Sequence, residues 1–140
     1  MQYDYEQLLK NARSKIPEVV SKSKRLELPN VRSRVFGMRT LVFNLKEIAE
    51  AMNRDPHHLL KFMTKEMATA ATLQESSARP RAIFQGKFDR NTFERLVQRY
   101  MRQYVVCPTC ERPDSKIVKE KRLSFLVCEA CGAKSSIRQL

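Results

Sequence analysis

The sequence predicts an α+β protein in three parts: an N-terminal helix on a polar tether (residues 1–22), a small antiparallel sheet with three helices (residues 23–104), and a four-cysteine ribbon (residues 105–140). Three observations carry this. Over the middle of the chain, short alternating runs give way to apolar residues spaced by three and four and then return, the pattern of strands and helices sharing one core. Near the C-terminal end two Cys-x-x-Cys pairs stand 17 residues apart. At the N-terminal end an apolar stripe is cut off from the rest by Ser21-Lys22-Ser23-Lys24-Arg25, which has no pattern.

The first helix is predicted over residues 3–16. Tyr5, Leu8, Leu9, Ala12 and Ile16 fall on one face, and Pro17 ends the run. So short a helix is marginal in water and needs a cover for its stripe. Either it folds back on its own core or it docks on another surface, and the tether favours docking. Val31 to Phe36 and Arg39 to Phe43 read as a hairpin turning at Gly37-Met38. Asn44, with Glu47 three residues on, reads as a capping box for a helix burying Leu45, Ile48, Ala49 and Met52. Asp55-Pro56 starts a second helix carrying Leu59, Leu60, Met63 and Met67. Two strands follow at Ala70 to Gln74 and Arg81 to Lys87, then a helix with Phe93, Leu96, Val97, Tyr100, Met101 and Tyr104 on one side. The first two core helices also suggest a helix-turn-helix, but Lys61 and Lys65 make no row of base-reading side chains.

Cys107, Cys110, Cys128 and Cys131 form the C-x₂-C…C-x₂-C arrangement of a zinc site. Four thiolates complete a tetrahedral shell, which suits structural Zn²⁺ and leaves no position for a reacting water. A segment of this size cannot fold on apolar burial alone, so it needs the metal. Strands at Lys116 to Glu120 and Leu123 to Val127 make it a zinc ribbon. A redox dithiol or a disulfide pair is the other reading of the cysteines. The last core helix runs through Tyr104-Val105-Val106 into Cys107 without a flexible spacer, so ribbon and core are expected to be coupled.

The composition narrows the function. Only three glycines occur, Gly37, Gly86 and Gly132, too scattered for a phosphate-cradling loop. The two histidines, His57 and His58, are adjacent and would diverge on a helix. An enzyme is not expected. No run is apolar enough to cross a membrane, and the first residues lack the pattern of a secretory signal, so a reducing cytoplasm is expected. Against 15 acidic residues stand 27 basic ones, a formal net charge of +12 spread along the chain, which points to a polyanion such as nucleic acid. Arg32 and Arg34 on the first core strand, and Lys116, Lys119, Lys121 and Arg122 on the ribbon hairpin, are the candidate phosphate contacts. A merely solvated surface is the other reading of each.

Several segments in order resemble one family. Arg54-Asp55-Pro56-His57-His58-Leu59-Leu60-Lys61-Phe62, Gly86-Lys87-Phe88, Tyr104-Val105-Val106-Cys107, Pro113-Asp114-Ser115 and the run from Arg122 to Ala133 look like the beta subunits of archaeal translation initiation factor 2, over nearly the whole chain. The resemblance implies a non-catalytic subunit of a heterotrimer that carries methionylated initiator tRNA to the small ribosomal subunit. It implies that GTP sits on a gamma subunit, on which Tyr5, Leu8, Leu9, Ala12 and Ile16 would dock. Where the family usually has Gly-Thr-x-Gly, this chain has Ala68-Thr69-Ala70-Ala71, and alanine is expected to resist the positive φ that glycine allows. Ser115 replaces the usual threonine. Eukaryotic initiation factor 5, a GTPase activator, shares the core and ribbon, but that activity needs an arginine in a mobile arm, and Arg13 falls on a helical position. A zinc-ribbon transcription factor is the third reading.

Overall fold

The computed structural model describes residues 4–16, 26–76 and 78–140. The tether expected over residues 21–25 lies outside them. Among the described residues there are four helices and seven strands: α1 (Tyr5–Lys15), β1 (Ser33–Phe36), β2 (Arg39–Val42), α2 (Leu45–Ala51), α3 (Pro56–Met67), β3 (Ala71–Gln74), β4 (Arg81–Gln85), α4 (Arg90–Tyr104), β5 (Ser115–Glu120), β6 (Leu123–Cys128) and β7 (Lys134–Ile137).

Local chemistry explains most of the boundaries. Asp4, Asp55 and Asp89 cap α1, α3 and α4, each carboxylate accepting a backbone N–H from the first turn. Pro56 holds the first position of α3 as expected. The β1–β2 loop has two residues, and Gly37 supplies the positive φ (+58°) at its first position. Two expectations fail. Asn44 precedes α2 but makes no capping bond. Its buried amide instead accepts the Arg32 N–H at 2.8 Å and donates to the Asn30 carbonyl at 2.7 Å, which pins the incoming segment to the core. Glu47, the other half of the expected capping box, faces outward and pairs with Arg32 at 2.9 Å. The α3 terminus also differs: Ala68 takes up the left-handed conformation (φ 49°, ψ 44°), and the Thr69 N–H reaches the Thr64 carbonyl at 3.1 Å. The helix termination that glycine would favour is therefore made by alanine.

The first sheet is antiparallel in the order β1-β2-β4-β3. Its inner face carries Thr40 and Val42 of β2 and Ala82 and Phe84 of β4, all fully buried. Against it pack Leu45, Ile48 and Ala49 of α2, Leu59, Phe62 and Met63 of α3, and Phe93, Val97 and Tyr100 of α4. The buried Thr40 hydroxyl donates to the Gly86 carbonyl at 2.8 Å and accepts from the Phe88 N–H at 3.0 Å, fastening the loop between β4 and α4. Gly86 sits at φ +113°, and a Cβ there would meet the Phe88 ring at 3.0 Å. The second sheet has the order β5-β6-β7. Its third strand was not anticipated: Lys134–Ile137 is a short, polar run whose only apolar residue is Ile137. Ile117, Ile137 and Leu140 pack on the first core, so ribbon and core share apolar contacts.

Candidate metal centre and exposed helix

The sulfurs of Cys107, Cys110, Cys128 and Cys131 all lie within 4.8 Å of one another. The junction after α4 and the end of β6 bring them together. Each Cys-x-x-Cys pair folds the same way. The Glu111 N–H donates to the Cys107 carbonyl and the Cys107 N–H to the Arg112 carbonyl, both at 2.9 Å. In the second pair the Gly132 N–H donates to the Cys128 carbonyl at 3.0 Å and the Cys128 N–H to the Ala133 carbonyl at 2.9 Å. Each turn closes on a left-handed residue just after the second cysteine, Glu111 at φ 57° and Gly132 at φ 74°.

The turns aim backbone donors at sulfur. The Thr109 N–H lies 3.4 Å from Cys107 Sγ. Backbone N–H groups of Cys110 and Thr109 hold the Cys107 thiol down at about 6, and those of Cys131 and Ala130 act in the same direction on Cys128. Cys107 and Cys128 are thus drawn toward thiolate, whereas desolvation and the neighbouring thiols raise Cys110 and Cys131 against their own backbone donors. Cys107 and Cys131 are 3.7 Å apart and Cys110 and Cys128 3.4 Å, too far for disulfides. A tetrahedral ion with arms of about 2.3 Å needs sulfur–sulfur edges of roughly 3.8 Å. The cluster fits such an ion.

The helix α1 has no buried residue. Tyr5 is 74% exposed, Leu8 50% and Ile16 55%; Ala12 is exposed and Leu9 half-buried. Among the described residues nothing buries the apolar stripe found in the sequence.

The basic candidates scatter. Arg32 lies before β1, outside the strand expected to hold it, and is occupied by Glu47. Arg34 lies on β1 with its guanidinium carbon 5.5 Å from the centre of the Phe36 ring. Lys116 faces Glu129 at 3.5 Å. Lys119, Lys121 and Arg122 are exposed at the β5–β6 turn, where Lys121 takes a positive φ. Lys61, weighed above as a base-reading residue, instead donates to the Leu140 carbonyl at 2.8 Å.

Sequence reasoning missed the role of Arg54, quoted above only as part of a motif. The residue is 9% exposed, and its guanidinium makes six hydrogen bonds, all to neutral oxygens. Two go to the Tyr104 carbonyl at the end of α4 and two to Ser115 at the start of β5. The Ser115 hydroxyl in turn donates to the Val105 carbonyl. This is the polar joint between core and ribbon. The missing spacer after Tyr104 signalled a constrained joint; its partner could not be seen in the sequence.

Comparison with known proteins agrees with this architecture. A family model, described as the domain found in initiation factors 2B and 5, matches residues 17–134. Translation initiation factor 2 subunit beta of Methanococcus vannielii is 45% identical over 138 residues, 99% of this chain and 97% of the relative. The protein of the same name from Methanococcus maripaludis is 44% identical with the same coverage. Near-complete coverage takes in α1, the sheet domain and all four cysteines, and on that ground the chain belongs to the family of translation initiation factor 2 beta subunits.

Proposed function

We propose that this chain is the beta subunit of a heterotrimeric factor that delivers methionylated initiator tRNA to the small ribosomal subunit, working in the cytoplasm without catalysing a reaction itself. The observation that carries the assembly half of this reading is the uncovered stripe of α1. A capped helix with Tyr5, Leu8, Leu9, Ala12 and Ile16 along one side and no cover of its own is suited to a groove on a larger partner. That partner is the GTP-binding gamma subunit of the same factor. The family resemblance puts GTP there, in keeping with the lack of a phosphate-cradling glycine loop in this sequence. In the second half, Cys107, Cys110, Cys128 and Cys131 hold one structural Zn²⁺, supported by the sulfur geometry and by a ribbon too small to fold unaided. The basic surface, including Arg32, Arg34, Lys116, Lys119, Lys121 and Arg122, supplies RNA contacts within the assembled factor.

The test is co-elution. The full chain mixed with the GTP-binding subunit should elute as a complex, and a chain lacking residues 1–16 should elute alone while keeping its own fold. Unchanged affinity of the truncated chain would overturn the docking assignment.

A further inference from the structure

The outer face of the four-stranded sheet is open. In antiparallel pairs, directly opposed residues point to the same side. The register therefore groups Arg34 and Phe36 of β1 with Arg39 and Leu41 of β2, and these with Ile83 and Gln85 of β4. Thr72 and Gln74 of β3 join Ile83 and Arg81. These nine positions face away from the buried set Thr40, Val42, Ala82 and Phe84, and each is exposed or half-buried.

The content of this face is unusual in a protein with 15 acidic residues. It holds three arginines, three apolar side chains and three neutral polar ones, and no carboxylate. Phe36 is 51% exposed, and Arg34 lies over its ring. Leu41 and Ile83 are neighbours across β2 and β4 in the middle of the face. Arg81 is held by the Gln74 side chain at 3.1 Å, which leaves its charge uncompensated. Among the described residues two ion pairs border the face, Arg32 with Glu47 before β1 and His57 with Glu75 just after β3, and neither lies on it. A solubilising surface would mix the two charge signs and would have no use for an exposed aromatic ring under a guanidinium.

We infer that this face binds single-stranded RNA. The three arginines are spread over β1, β2 and β4 and would meet successive phosphates. Phe36 with its overlying Arg34 offers a stacking plane for an unpaired base, and Leu41 and Ile83 a dry floor. At ~4.8 Å between strands the platform is roughly 14 Å wide, room for a short unstacked run. The amides of Gln74 and Gln85 can donate to or accept from base edges. This deepens the proposed role, resting on it for RNA being at hand, and it moves the main RNA contact from the ribbon lysines to the sheet.

The test uses the full chain and a fluorescent uridine dodecamer, with affinity followed against salt. Replacing Arg34, Arg39 and Arg81 together by Gln should weaken binding about tenfold or more and lower the salt slope by roughly 2, since each phosphate contact contributes ~0.7. Phe36→Ala should weaken binding about fivefold or more with the slope unchanged. The matched ribbon variant, Lys119, Lys121 and Arg122 to Gln, should have the smaller effect. None of the replaced side chains belongs to the buried core, so the variants should melt like the parent and still co-elute with the GTP-binding subunit. Parent-like RNA binding by the arginine variant with co-elution intact overturns the sheet assignment and leaves the subunit reading standing. Displacement of the oligomer by polyglutamate of equal charge would mark the face as a seat for an acidic protein, and would overturn it too.

Discussion

Nη2 of Arg54 lies 2.8 Å from the hydroxyl of Ser115, 61 positions further along the chain, and the same guanidinium holds the Tyr104 carbonyl at 2.9 Å. One side chain from the α2–α3 connection therefore fixes both the last residue of α4 and the first of β5. Burying a guanidinium is costly, and here six hydrogen bonds to five neutral acceptors rather than a carboxylate offset the desolvation.

Arg54→Ala leaves the Tyr104 and Ser115 carbonyls unsatisfied in a closed joint. The expected loss is ~2–4 kcal/mol in urea unfolding. Amide exchange should rise first in β5 and at residues 105–107. Arg54→Lys should recover little of this, because a single ammonium cannot span both acceptors at once. An unchanged urea midpoint for Arg54→Ala would show that the apolar contacts of Ile117, Ile137 and Leu140 suffice.

Zinc should be found at one ion per chain by metal analysis of the purified protein. Cys128→Ser should lower it well below one and loosen the ribbon, with helical signal from the core retained, because the core has its own apolar set. Full metal content in Cys128→Ser would sink the four-cysteine assignment. On acidification the ion should leave only where protons compete for the thiolates, and the N–H donors at Cys107 move that point to lower pH.

What could be read from the sequence follows from how local the determining interaction is. The Asp55 cap, the Gly37 turn and the cysteine pairs act within a few residues and were read directly, whereas the equally local caps Asp4 and Asp89 were not. Asn44 has the right residue type and spacing for a capping box, yet its amide serves the backbone of residues 30 and 32, a contact 12 to 14 positions away. Ala68 shows the opposite case: the surrounding turn imposes a backbone conformation that alanine disfavours by itself. β7 was missed because its pattern is polar and its pairing with β6 depends on the second cysteine turn reversing the chain. Arg54 joins segments 50 and 61 positions apart, beyond any periodicity.

The two cysteine turns carry different residues at their matched left-handed position. Glu111 and Gly132 both sit at positive φ, and nothing lies within 4 Å of a Cβ built on Gly132. The strain at this position is therefore backbone strain alone. Glu111→Gly should stabilise the zinc-loaded chain by ~1 kcal/mol, and Gly132→Ala should destabilise it by a similar amount. Thermal melts of the two variants should move in opposite directions. Movement in the same direction would mean that the Glu111 side chain matters more than its φ.

The last prediction concerns pH. His58 Nδ1 lies 2.7 Å from the Tyr100 hydroxyl, with its ring edge-on to Tyr100 and Tyr104. Burial pulls its pKa below the usual 6.5, against the pull of Asp55 and with help from Arg54 and Lys61. The folded state thus binds a proton less readily than the unfolded one. The unfolded chain carries more protons between the lowered folded value and 6.5, so stability rises with pH through that window and is lost as pH falls below 6.5. His58→Gln does not titrate and keeps an acceptor for the Tyr100 hydroxyl. Its stability should fall less between pH 7 and pH 5, read as the difference from the parent in urea unfolding, so that thiolate protonation common to both cancels. Equal slopes for the two proteins would mean that His58 titrates alike folded and unfolded, and that the aromatic box around it is open to water.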